Sequence, residues 1–334
     1  MDEARRGGLF RRVAWAACLA TAATIGAEAR AGGYSGLVVF GDSLSDGGNV
    51  AAMVTAAGAP FPYHVYSEGK FTNGKVWVDY LAESLGLEAP KASLLGGSNY
   101  AHAYAQSGAG YSTPVELGGM PIANLLTQVQ SFEGSLGGGS MDSNKLISIW
   151  AGANDILHGG ISDLAGIQAA VGNVITAAQS LYDLGGRHFL IGGVPYLGGI
   201  PAVANQPRAV KDGLNQIAAT FNAVLAGAMA EFRATRADAR VTYSDANTTF
   251  EAILANPSAF GLTNLTDQAA VAISMGGDPN PDHYLYWDDV HPTTAVHRLI
   301  AEAAFRAVVP EPSSIVLAAI GGLGIVAAAR RRAA

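Results

Sequence analysis

LVVFGDSLSDGGN, residues 37–49, joins an apolar run to an abrupt stop at Gly-Asp-Ser. The run from Leu37 to Phe40 is continuous rather than alternating, so it reads as a strand buried on both faces, the habit of parallel sheets. The polar residues that follow, Asp42, Ser43 and Asp46, then lie at the carboxyl end of that strand, where open parallel sheets bind their ligands. Ser43, with Asp46 three residues on, also fits a capping box at a helix start. A serine in that place can equally be a nucleophile, because backbone N–H groups at a helix start favour a developing oxyanion. The stretch alone leaves cap and nucleophile open.

Similar runs recur along the chain. Residues 146–150, 189–194 and 241–244 read as further strands, and 98–101 as a weaker one. Between them the spacing of apolar residues predicts helices over 76–85, 122–132, 164–184, 208–233 and 294–308. Strands alternating with helices point to a three-layer α/β fold with a mainly parallel sheet. Residues 256–284 carry few regular signals and read as a long surface connection.

The chain has 334 residues, 49% of them hydrophobic and 14% charged, and a mean hydropathy of +0.22. Part of that apolar excess sits at the two ends. Arg5, Arg6, Arg11 and Arg12 precede an apolar core at 13–26 and a small-residue site near Ala29 to Ala31, the plan of a secretory signal peptide. The core falls short of the roughly 20 residues that a membrane span needs. The single cysteine, Cys18, lies within this segment, so the mature chain is expected to lack disulfides, a thiolate nucleophile and Cys-ligated metal. At the other end, Val-Pro-Glu-Pro leads into an apolar run over 313–329 and then Arg330, Arg331 and Arg332, which reads as a short membrane segment with a basic stop. Three divisions follow: a signal peptide at 1–31, one folded domain at 32–309 and the apolar, basic-tailed segment at 310–334. The central division holds 12 Lys and Arg against 23 Asp and Glu, a net charge of −11, which argues against a nucleic-acid partner.

Two further clusters follow predicted strands or lie near the C-terminal helix. Asp288-Asp289-Val290-His291 places an acid three residues before a histidine, within reach of its Nδ1, leaving Nε2 for general base work. Asp289 competes for the orienting role, and helix capping by Asp288, Thr293 or Thr294 is the structural alternative. Gly-Ala-Asn-Asp at 152–155 reads as an ordinary turn by itself, while the Asn154 amide is also a suitable donor to an oxyanion. No second histidine stands at ligand spacing, so no metal is expected.

FGDSLSDGGN (40–49), WAGANDI (150–156) and WDDVHPT (287–293) resemble, in order, the first, third and fifth motif blocks of the GDSL, or SGNH, hydrolase family. FTNGKVWVDYLA (71–82) is similar to a segment of that family's lipase-like branch. The resemblance implies a flavodoxin-like α/β/α sandwich and hydrolysis of carboxylic esters through an acyl-enzyme, without metal or organic cofactor. It implies Ser43 as nucleophile and Asp288 with His291 as the rest of a triad. The oxyanion hole would comprise the N–H groups of Ser43 and Ala103 and the Asn154 amide. Ala103 stands where the family's second block has glycine, within Asn99-Tyr100-Ala101-His102-Ala103-Tyr104-Ala105, and keeps the N–H provided its φ is negative.

The Pro-Glu-Pro, apolar helix and basic tail resemble the PEP-CTERM sorting signal of Gram-negative bacteria. That resemblance implies an exosortase-type processing partner, a transient membrane anchor, and export to the envelope or exterior. Short acyl esters, lipid esters and acetylated polysaccharides all remain open as substrates. An exopolysaccharide-binding protein on a decayed esterase fold is the rival from another class.

Overall fold

The computed structural model describes residues 33–62 and 65–309. The expected signal peptide and the expected apolar sorting segment lie outside these residues. Among the described residues no helix is long and apolar enough to cross a membrane.

Four parallel strands form the central sheet: β1 (Leu37–Gly41), β2 (Leu146–Trp150), β3 (His188–Gly192) and β4 (Arg240–Ser244), in the spatial order β1-β2-β3-β4. The weak strand expected at 98–101 lies along the free edge of β1. Val39 N–H donates to Ser98 O (3.0 Å), Tyr100 N–H to Val39 O (2.7 Å) and His102 N–H to Gly41 O (3.1 Å). Counting this edge, the strands run 2-1-3-4-5 across the sheet, the flavodoxin-like order.

Continuous apolar strands make sense here because successive side chains enter different cores. Val38, Phe40, Ile147, Ile149, Phe189 and Ile191 face one core, closed by α3 (Leu125–Ser135), α5 (Leu164–Asp183) and α6 (Arg208–Ala234). Leu37, Val39, Leu146, Trp150 and Leu190 face the other, closed by α2 (Trp77–Ser84), α7 (Ala246–Ala255) and α8 (Thr294–Val308). The result is the expected α/β/α sandwich. Each helix turns one apolar stripe inward, as Phe221, Leu225, Met229 and Phe232 do in α6.

Two local expectations change. Residues 122–123 are not helical; Ile122–Ala123 pairs antiparallel with Tyr111–Ser112, and α3 starts at Leu125. The stretch 256–284 is not irregular either: Asn264–Gln268 forms a strand parallel to Tyr284–Tyr286, followed by the short helix Ala269–Ser274. Its sequence NLTDQ gives no apolar signal because no residue of it is buried.

Gly41 ends β1 with φ of +147°, and a Cβ there would come within 2.1 Å of Trp150 O. Its backbone is bracketed by the buried Gln128 of α3, which accepts from Gly41 N–H (2.9 Å) and donates to Gly41 O (2.8 Å). Gly41→Ala is therefore expected to cost about 3 kcal/mol, seen in a melting curve as a fall of roughly 6–12 °C. An unchanged melting temperature would show that the strand end tolerates a side chain.

Candidate active site

Beyond Gly41 the chain makes a tight turn. Asp42 Oδ1 accepts from Leu44 N–H (3.1 Å) and Asp42 O from Ser45 N–H (3.0 Å), leaving Ser43 partly exposed at the apex. The helix that follows, α1 (Asn49–Ala56), starts six residues after Ser43, and Asp46 caps it by accepting from Gly48 N–H (2.8 Å) and Asn49 N–H (2.6 Å). The capping role expected of Ser43 thus falls to Asp46, because the turn delays the helix. Ser45 is buried and accepts from the Trp77 indole N–H (3.0 Å). Ser43 is the serine facing outward, and its backbone N–H and hydroxyl have no hydrogen-bond partner among the described residues.

The Asp288 side chain closes the turn before α8. Oδ1 accepts from the N–H groups of Val290 (2.9 Å) and His291 (2.7 Å), while Oδ2 lies 2.7 Å from His291 Nδ1. The helix-cap alternative for Asp288 is not realised; Asp289 is exposed and makes no bond to the His291 ring. Thr293 precedes α8, but its hydroxyl donates to Tyr284 O (2.9 Å) instead of capping the helix. A partner that the sequence did not suggest is Tyr66, whose hydroxyl donates to Asp288 Oδ2 (2.9 Å) across 222 residues.

These contacts set the charges. Burial works to lower the His291 pKa, but the charge and hydrogen bond of Asp288, with Asp42 and Asp289 nearby, outweigh it and leave the imidazole above its ordinary value. Burial works to raise Asp288, and the His291 charge together with three hydrogen bonds reverses that, leaving it below the usual carboxylate range. Asp42 has less relief: burial pushes its carboxyl up to about 7, and Oδ2 is buried without a partner among the described residues.

The loop at 103–107 departs from expectation. The Ala103 N–H donates to Asp46 Oδ2 at 2.9 Å, so it is committed to a buried carboxylate rather than open to an oxyanion. Its neighbour Tyr104 takes the left-handed conformation, φ +65°, and the Tyr104 N–H has no partner among the described residues. A non-glycine residue in that region costs about 1–3 kcal/mol and persists only where its surroundings dictate it. Here the loop is fixed on both sides. Asn154 Nδ2 donates to Ala105 O (3.0 Å), and Asp155 accepts from Ser107 N–H (2.9 Å) and Ser107 Oγ (2.6 Å). Asn154 and Asp155 lie on α4 (Ala153–Leu157), directly after β2. The Asn154 amide retains a second hydrogen with no acceptor among the described residues.

One open cleft of about 150 Å³ gathers Ser43, Asn154, Asp288 and His291, together with Ala103 and Tyr104. Its aromatic wall is Phe71, 5.5 Å from the His291 ring, with Tyr66 and Tyr104 beside it. No hydrogen bond joins the Ser43 hydroxyl to the His291 ring. His102, in the same segment, is buried with Nδ1 2.8 Å from Tyr100 O. Among the described residues no group of three or more His, Cys, Asp or Glu is placed to hold a metal ion.

Several known proteins are similar to this chain. A GDSL esterase/lipase of Arabidopsis thaliana is 31% identical over 320 residues, covering 80% of this chain and 81% of the plant protein. Esterase EstA of Pseudomonas aeruginosa is 28% identical over 87% of this chain, which spans about half (49%) of the EstA length. A crystal structure from the lipolytic G-D-S-L family of Veillonella parvula is 17% identical, covers 81% of this chain and 96% of its own, and gives a TM-score of 0.44. Residues 308–332 match the PEP-CTERM protein-sorting motif, a mark of export in Gram-negative bacteria. With residues 37–304 matching the GDSL-like lipase/acylhydrolase family, the chain belongs to that family, which supports ester hydrolysis.

Proposed function

We propose that this protein is an exported serine esterase in which Ser43 is the nucleophile, His291 the general base and acid, and Asp288 the group that orients and charges the imidazole. The observation that carries the reading is the single cleft whose wall holds Ser43, Asn154 and the hydrogen-bonded Asp288–His291 pair. His291 Nε2 takes the Ser43 proton as Oγ bonds to the ester carbonyl carbon, and Asp288 stabilises the imidazolium that forms. Collapse of the tetrahedral intermediate breaks the bond to the alkoxy oxygen, which takes the proton back from Nε2 and leaves as the alcohol. Water then attacks the acyl-enzyme by the same route, releasing the acid and restoring the Ser43 hydroxyl. The missing Ser43–His291 hydrogen bond is not an obstacle, since such bonds commonly form only in the substrate complex.

For the oxyanion hole we assign the N–H groups of Ser43 and Tyr104 and the free hydrogen of the Asn154 amide. Tyr104 replaces the expected Ala103 because the Ala103 N–H is already used by Asp46. Fixed donors of this kind need no rearrangement when charge develops, and each is worth roughly 3–4 kcal/mol of barrier. In the same reading, residues 1–31 direct secretion, and an exosortase-type enzyme processes the segment 310–334 after transient membrane anchoring.

A fluorophosphonate tests the assignment directly, because it reacts with an activated serine and not with an ordinary one. Incubation of the mature protein should label one residue per chain, and peptide mapping should find it at Ser43, with parallel loss of p-nitrophenyl butyrate hydrolysis. Labelling at another residue, or none, would overturn the reading.

A further inference from the structure

Two cavities meet at Ser43, and they differ in chemistry. One is the open cleft already described, which shares Tyr104, Glu116 and His158 with an adjoining polar groove of about 420 Å³ reaching Tyr111 and Gln106. The other is a narrower apolar pit of about 40 Å³ that adjoins the cleft along Ser43 and Asn154. Trp150, Leu197 and Ile300, all buried, form its depth, and the partly exposed Leu157 and Phe250 stand at its rim. Ser43, Asn154 and Val290 belong to both walls, so an ester reacting at Ser43 has both cavities within reach of its two halves.

The geometry points to a fixed orientation of the substrate: the acyl chain enters the apolar pit, and the alcohol lies in the open cleft and polar groove. This deepens the esterase reading and rests on it. An apolar chain gains by leaving water for the pit, whereas the cleft offers hydroxyls, amides and aromatic faces suited to a polar alcohol. Size sets the chain length. One water-sized atom takes about 10–15 Å³ on this measure, so the pit holds roughly three or four such atoms and suits acetyl to butyryl groups. Charge sets the alcohol. Apart from the His291 imidazole, the cleft and groove carry Glu116, Asp288 and Asp289 and, among the described residues, no Lys or Arg, so an anionic alcohol meets a mainly negative lining. The substrates are therefore short-chain acyl esters of polar, uncharged or cationic alcohols.

The orientation predicts that two substitutions act independently. Phe250→Ala opens the rim of the pit and should raise kcat/KM for p-nitrophenyl octanoate relative to acetate by about 10-fold or more, since one accommodated methylene in an apolar pocket is worth about 10–200-fold. Glu116→Lys, in the groove, should leave that chain-length ratio in place while raising kcat/KM for 4-sulfophenyl acetate relative to p-nitrophenyl acetate by roughly 5-fold at low salt. The wild-type protein should fall off steeply between butyrate and palmitate. If Phe250→Ala keeps the wild-type chain-length profile while still hydrolysing acetate, or if Glu116→Lys is the variant that shifts it, the orientation is wrong and the esterase reading stands. If no ester is hydrolysed and Ser43 takes no phosphonate label, both fall together.

Discussion

Ser43→Ala is expected to lower kcat for ester hydrolysis by roughly 10⁴–10⁶-fold, with KM changed little and the residual rate still above that of water. In barrier terms this is about 5–8 kcal/mol, at 1.36 kcal/mol for each tenfold loss. The effect is large because in the proposed mechanism Oγ is the atom that bonds to the acyl carbon, and no other group in the cleft replaces it. Ser45, the nearest serine in sequence, is buried and held by the Trp77 indole. The fold should be untouched, since the partly exposed Ser43 hydroxyl has no hydrogen-bond partner among the described residues. Initial rates on p-nitrophenyl butyrate, beside a melting curve within about 2 °C of the parent, check both halves. Equal rates in parent and variant would remove Ser43 from the mechanism.

Asp288→Asn should cost roughly 10³–10⁴-fold in kcat/KM, because the amide presents the wrong hydrogen-bonding group to His291 Nδ1 and no longer stabilises the imidazolium. The pH dependence separates this from simple disruption. His291 must be neutral to accept the serine proton, and in the parent its pKa is raised above the ordinary 6.5. The acid limb of kcat/KM should therefore lie above 6.5 in the parent. It should move to lower pH in Asp288→Asn, where burial still lowers the pKa and the main raising charge is gone. Asp42, its carboxyl pushed up to about 7 by burial, is present in both proteins and acts on His291 in each, so the shift between them follows the loss of the Asp288 charge.

Stability follows the same linkage with opposite signs for the two partners. The His291 contribution is complete below 6.5 and is lost as pH rises through its raised folded value. The Asp288 contribution is complete above 3.8 and is lost as pH falls through its lowered folded value. The melting-temperature gap between parent and variant should thus be widest between about 4 and 6.5 and narrow towards alkaline pH. A gap that ignores pH, with an unmoved acid limb, would mean that Asp288 does not charge the imidazole.

The legible parts of this protein were those that neighbouring residues dictate. Strands β1 to β4 were readable because buried parallel strands need unbroken apolar runs, and the long helices because their stripes repeat every turn. Asp288 and His291 were readable as a pair because a contact across three residues on a turn needs only local geometry. The stretch 264–268 was not readable, since a polar, exposed strand leaves no period in the sequence.

Other features depend on the path of the backbone between distant segments. Nothing near Tyr66 announces Asp288, 222 residues away, and nothing near Gly41 announces Gln128, 87 residues away. The proposed oxyanion donor is the sharpest example. Sequence placed it at Ala103 by alignment, but Asp46, 57 residues earlier, takes that N–H, while Asn154 and Asp155 fix the loop beyond and hold Tyr104 left-handed. By itself, then, the sequence determined the layers of the fold and placed Ser43, Asn154 and the Asp288–His291 pair beyond strand ends or in the turn before α8. Only the tertiary structure decided which N–H groups remain unpartnered beside Ser43, because a buried carboxylate draws hydrogen bonds from any donor the fold brings within about 3 Å, whatever the separation along the chain.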